Sequence, residues 1–242
     1  MKTNRNNRNV PESDPDNNRR MFLKEGLIYG TLAGIAGMTA FTGCSENAEE
    51  EISPAEDLMR EHGVLNRILL IYDSCKSHLI KGEQFPTEAL HDSATIIRDF
   101  IEGYHEKLEE DFLFPRLLKQ NYLIDLIQVL SVQHSAGRGL TGRIIQLTGS
   151  NNLSDPDQSG ELIQLLNSFN TMYRPHKARE DTVLFPAIRE AIPEEEYYKM
   201  GEDFENKEHE LFGEEGFDLM VEKVAILEKQ LGIYELSQFN PM

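Results

Sequence analysis

His105-Glu106-Lys107-Leu108-Glu109-Glu110-Asp111-Phe112-Leu113-Phe114-Pro115 is answered, 71 residues later, by His176-Lys177-Ala178-Arg179-Glu180-Asp181-Thr182-Val183-Leu184-Phe185-Pro186. The two stretches share a His, a Glu four residues on, an acid in fifth place and a closing Leu-Phe-Pro. Two further histidines follow almost the same offset. His62 and His134 lie 72 apart and precede the motif histidines by 43 and 42 residues. Self-similarity at a fixed offset means a duplicated structural unit. Each unit here brings one lone His and then one H-x-x-x-E.

Outward from the motifs, every one of these histidines falls on an apolar seam with helical spacing. Ser53-Pro54-Ala55-Glu56 has the form of a capping box with Pro at the first helical position. It opens a helix to about Ile80, with Leu58, Leu65, Leu69 and Tyr72 on its seam and His62 filling the missing step. A second helix spans roughly Thr87 to Lys119, with Ile97, Ile101, Leu108 and Phe112 around His105 and a kink expected at Pro115. A third, from about Leu123 to Leu147, carries His134 among Leu126, Leu130 and Ile144. The fourth, from about Asp157 to Ala191, carries His176 beyond Leu162, Leu165, Phe169 and Met172. A last helical region from Pro193 to about Leu231 is interrupted near Gly213 and Gly216. The expected fold is all-α: an up-down four-helix bundle over residues 54–190 with a C-terminal helical extension over 191–242.

The chain has 242 residues, 39% of them hydrophobic, no Trp and a net charge of −18. Residues 1–43 hold six Lys/Arg against four Asp/Glu, so the acidity lies in the remainder. Phosphate binding needs a basic surface, which argues against a nucleic-acid partner. Two cysteines, Cys44 and Cys75, make no disulfide framework.

Residues four apart on a helix share a face, so His105 with Glu109, and His176 with Glu180, aim two donors at one point. A carboxylate has two oxygens and can bridge two metals, while each imidazole offers a firm nitrogen. Four histidines and two glutamates from four helices are the inventory for a dinuclear site in a bundle core. A lone His on a seam is more often an ordinary core residue, but four that share one repeat offset are poorly explained that way. Buried without a cation, such a cluster would be costly.

On these residues the chain resembles the hemerythrin-like family, whose cation-binding unit is a helix pair with H…H-x-x-x-E, duplicated. The resemblance covers roughly residues 54–190. It implies two iron ions joined by carboxylate and oxo or hydroxo bridges, although manganese or zinc suits the same side chains. Matched position by position, it implies His62, His105, Glu109, His134, His176 and Glu180 as ligands, with Glu109 and Glu180 as bridges. Two departures stand out. Oxygen-carrying members have another His where this chain has Arg138, and their last carboxylate sits five after its His, where this chain has Asp181. An extra water or a borrowed acid, Glu106 being nearest, would then complete the site. A ferritin-like pair of E-x-x-H motifs is set aside because Glu102-Gly103-Tyr104-His105 has no counterpart in the repeat, where Tyr173 stands three before His176. His78, His91 and His209 lie outside the repeat and read as surface residues, with His209 as a candidate auxiliary ligand. Tyr104 and Tyr173 read as packing, and Cys75 as a small buried residue.

The first 43 residues read as an address. Asn18-Arg19-Arg20-Met21-Phe22-Leu23-Lys24 resembles a twin-arginine export motif, and 18 uncharged residues follow from Gly26 to Gly43. Ala40-Phe41-Thr42-Gly43-Cys44 resembles a lipoprotein cleavage box, with Phe41 where a branched aliphatic is usual. Cleavage would leave a lipidated Cys44 on residues 44–53 as an acidic tether; an uncleaved anchor is the alternative. Either way the expectation is export and attachment to the envelope membrane. Three functions fit: binding of O2, NO or peroxide for sensing, storage or scavenging; an oxidoreductase acting on those molecules; or a metal-stabilised interaction module.

Overall fold

The computed structural model describes residues 52–149 and 155–241. The reading of residues 1–43, of Cys44 and of most of the tether lies outside them. Among the described residues there is no strand, and no helix is long and apolar enough to cross a membrane.

Helix α1 (Pro54–Lys81) starts as its capping signal requires: Ser53 Oγ accepts the Glu56 amide at 3.3 Å and Pro54 occupies the first turn. It stops at Gly82, whose φ of +67° is left-handed and closes the helix on the His78 and Leu79 carbonyls. The second rod runs as α2 (Thr87–Ile96), a π-helical stretch Ile97–His105, the turn α3 (Glu106–Leu108), a π turn Glu109–Leu113 and α4 (Phe114–Lys119). The third rod is α5 (Ile124–Thr148). The fourth is α6 (Pro156–Arg179), a π turn Glu180–Leu184 and α7 (Phe185–Ala191).

Where a kink was expected at Pro115, the chain instead widens just before it. The Phe114 amide bonds the Glu109 carbonyl, five residues back, and the Phe185 amide bonds the Glu180 carbonyl in the same way before Pro186. A proline cannot donate to the carbonyl four behind it, and one π turn absorbs the resulting shift of register. Both π turns therefore begin on the motif glutamate. The longer π stretch ending at His105 occurs in the first pair alone, which also carries the one extra residue between its histidines.

Each rod packs side by side with the next, and α6 closes the ring against α1. Aliphatic residues such as Leu58, Ile68, Leu130, Ile144, Leu162 and Leu166 fill the middle. The C-terminal segment forms α8 (Glu194–Phe212) and α9 (Gly216–Gln230), which lean on α1, with α9 also against α2. Buried Tyr197, Met200 and Phe204 form the inner face of α8. Phe204 meets Phe112 edge-on, Phe212 meets Phe100 and Tyr104, and Arg67 grips Glu228 with two nitrogens at 3.0 and 2.5 Å.

Candidate metal centre

All six residues singled out by the repeat are buried, and the bundle brings them to one place. His62 and His105 form one pair, with ring centroids 4.6 Å apart; His134 and His176 form the other, at 5.0 Å.

Each imidazole has a partner on its outer nitrogen. Nδ1 of His62 meets Asp181 Oδ1 at 2.6 Å, that of His105 meets Glu61 Oε2 at 2.5 Å, that of His134 meets Glu110 Oε1 at 3.1 Å and that of His176 meets Gln133 Oε1 at 2.8 Å. Carboxylate and amide oxygens accept, so Nδ1 carries the hydrogen in all four rings. Nε2 is then left in each with a lone pair turned inward, the tautomer suited to a metal.

The inner nitrogens face only Glu109 and Glu180. Glu109 puts Oε1 3.8 Å from His105 Nε2 and Oε2 3.3 Å from His134 Nε2. Glu180 puts Oε1 2.9 Å from His176 Nε2 and Oε2 3.4 Å from His62 Nε2. Each carboxylate thus spans both histidine pairs. Lone pairs held against carboxylate oxygens repel unless positive charge lies between them. All four oxygens of Glu109 and Glu180, and Nε2 of His134, are buried without a hydrogen-bond partner. The groups His62, His105, Glu109 and His134, His176, Glu180 each converge closely enough to hold one cation. With protons alone, the carboxylates draw positive charge to the rings: burial opposes it, yet His62 rises to about 9 and His134 to about 12. Glu109 is itself pushed up to about 8, by burial and then by Glu180. The donor set therefore fits a pair of cations bridged by two carboxylates.

The rest of the motif has local work too. Its acid in fifth place, Glu110 or Asp181, takes the outer nitrogen of the lone histidine in the other helix pair. Its Phe lies over that same ring, Phe114 on His134 at 5.7 Å and Phe185 on His62 at 5.3 Å. Glu61 and Gln133, which sequence reasoning missed, stand one residue before the two lone histidines and bond the motif histidines. Their matching offset of 72 was the available signal.

Arg138 turns to Glu106 at 2.9 Å and Glu110 at 2.6 Å. Glu106, the acid considered for a vacant position, also accepts the Tyr173 hydroxyl at 2.7 Å. Tyr173 is therefore a donor beside the centre as well as a packing residue. Tyr104 donates instead to the Phe204 carbonyl at 3.4 Å. Glu102 is bound by Thr141 at 2.5 Å, away from the inner nitrogens. His78 bonds the Ser74 carbonyl, His91 bonds Thr148, and His209 lines a surface cavity, so none of the three joins the centre. Cys75 is buried, and burial pushes its thiol up to about 12.

A family model for the hemerythrin HHE cation-binding domain matches residues 53–188. Uncharacterised proteins of Mycobacterium bovis and Mycobacterium tuberculosis are 44% identical to the chain over 234 residues, covering 92% of it and 91% of each relative. No solved structure matches significantly.

Proposed function

Because the chain belongs to the hemerythrin HHE cation-binding family, we propose that it is a non-haem di-iron protein that takes up O2, NO or a peroxide in sensing, storage or scavenging. The observation that carries this reading is the span of Glu109 and Glu180 across both histidine pairs, with every one of their oxygens lacking a hydrogen-bond partner. Iron bound there would supply redox-active, Lewis-acidic positions within reach of a small exogenous molecule. The chain's own part is to fix four imidazoles through their outer nitrogens and to leave one position short of a histidine. Arg138 and Glu106 satisfy each other at that place, so neither is free to fill it.

The address read in residues 1–44 supports an envelope location, the fold and metal being completed before twin-arginine export and Cys44 then tethering the protein. Turnover of peroxide, O2 or NO is the second reading, and one observation favours it. Tyr173, Glu106 and Arg138 form a hydrogen-bonded set beside His134, and burial lifts Glu106 to about 7, so a proton can reside on its carboxyl near neutrality.

The test is anaerobic reconstitution with Fe(II), followed by spectra with azide and NO and a peroxide turnover assay. Saturable spectral change without turnover supports binding, and sustained turnover supports the second reading. Iron whose spectrum ignores all three molecules contradicts both and leaves a structural metal.

A further inference from the structure

A second group of acids lies on the outer side of α1, against the C-terminal extension. Asp57 and Glu61 are one turn apart on α1, and Glu208 comes from α8. Each brings a carboxylate oxygen within 4.8 Å of the others, a separation one cation can span with oxygen ligands at roughly 2.0–2.6 Å.

Acids that cluster on a surface usually need no ion, because water screens them. Glu61 has no water to do so. Its side chain is fully buried, Oε2 is committed to His105, and Oε1 has no hydrogen-bond partner. The Tyr104 hydroxyl is close enough to ease that burial, but it is spent on the Phe204 carbonyl. The strongest charged neighbours of Glu61 are Asp57, Glu208 and Glu109, all acidic. Arg60 reaches Asp57 at 3.6 Å, with its guanidinium over the Phe217 ring.

Glu208 is held where it stands. Its Oε1 accepts the Phe217 amide at 2.6 Å, and a Cβ on Gly216 would come within 2.8 Å of that oxygen and 2.9 Å of its Cγ. The glycine at the start of α9 is thus the space in which the carboxylate sits. Asp57 and Glu208 also line a surface cavity of about 580 Å³, which holds seven acidic side chains against Arg60 and His209 and concentrates cations at its floor.

We propose that Asp57, Glu61 and Glu208 form a third divalent-cation site, distinct from the dinuclear centre and completed by the C-terminal extension. All-carboxylate donors select a hard ion of the Mg(II), Ca(II) or Mn(II) class. Glu61 links the two places, since it converges with Asp57 and Glu208 and its Oε2 accepts the His105 N–H. Asp57 and Glu61 lie within the matched residues 53–188 and Glu208 lies outside them, so the site needs the extension as well as the family's bundle.

The experiment counts Mn(II) bound per full chain by equilibrium dialysis, for the wild type, Glu208→Gln and Asp57→Asn, with circular dichroism confirming that each variant folds. The expected result is one ion fewer in each variant than in the wild type, with an anomalous scattering peak beside Glu208 in Mn(II)-soaked wild-type crystals. A count unchanged by both substitutions overturns the site. The dinuclear reading is scored separately by His134→Ala/His176→Ala. If that variant keeps the wild-type count while Glu208→Gln lowers it, the third site stands and the dinuclear centre falls.

Discussion

Behind His105 stands the carboxylate of Glu61; behind His176, at the matching place in the repeat, stands the amide of Gln133. Behind His62 stands Asp181, whereas the counterpart Glu110, behind His134, is also held by Arg138 and Lys107. Burial works against the charge on Glu110, yet its hydrogen bonds from His134, Lys107 and Arg138 hold it well below the usual carboxylate range. The first histidine pair therefore rests on two carboxylates, and the second on an amide and a carboxylate shared with two cations. An imidazole whose N–H points at a carboxylate is the stronger base. Duplication preserved the inner donors and not their equality: with a cation in each place, the His62/His105 position is expected to hold the tighter one.

The largest expected effect removes what the halves share. Glu109→Ala or Glu180→Ala takes a bridge from both positions, and iron per chain falls from about two to near zero by elemental analysis. One cation retained in full would show that the carboxylates do not bridge. Next comes the loss of one half: His62→Ala and His134→Ala should each reduce the count to about one, with the ion surviving in His134→Ala bound the more tightly of the two. Glu61→Gln then makes the first half imitate the second. It should weaken the tighter binding step by roughly 10–100-fold in calorimetric titration and bring the two steps together. Gln133→Glu should spread fewer differences between the steps by strengthening the weaker one, and unchanged steps in both variants would break the comparison.

The smallest effect concerns packing beside the second half. A Cβ on Gly137 would sit on the Tyr173 hydroxyl, the donor to Glu106. Gly137→Ala should cost about 1–3 kcal/mol in thermal unfolding through that clash. Gly139, on the same helix with nothing within 4 Å of an added Cβ, is the control. Gly139→Ala should be stabilising by about 0.5–1 kcal/mol from helix propensity.

The inner donors were legible because His and H-x-x-x-E recur at one offset on apolar seams, and the four long helices because those seams have helical spacing. The outer partners were not. Glu61 and Gln133 differ in charge and look like ordinary polar helix residues, so their shared offset of 72 is easily passed over, and the position of the facing helix is what shows that each meets a motif histidine. Asp181 invited a reading as a competing donor because it adjoins Glu180, yet the π turn that begins at Glu180 aims the two side chains at opposite nitrogens of His62. No hydrophobic period encodes such a π turn, so Pro115 suggested a kink. In the extension, the break near Gly213 and Gly216 was visible, while the packing of Glu208 against α1 depends on a tertiary contact that charge pattern does not carry.

Iron per chain, measured by elemental analysis on residues 45–242 after anaerobic reconstitution, with His105→Ala and His176→Ala alongside, tests the central claim most directly. The account predicts about two irons in the wild type and a sharp fall in both variants. A folded wild type that takes up no iron, or variants that hold as much as it does, would contradict it.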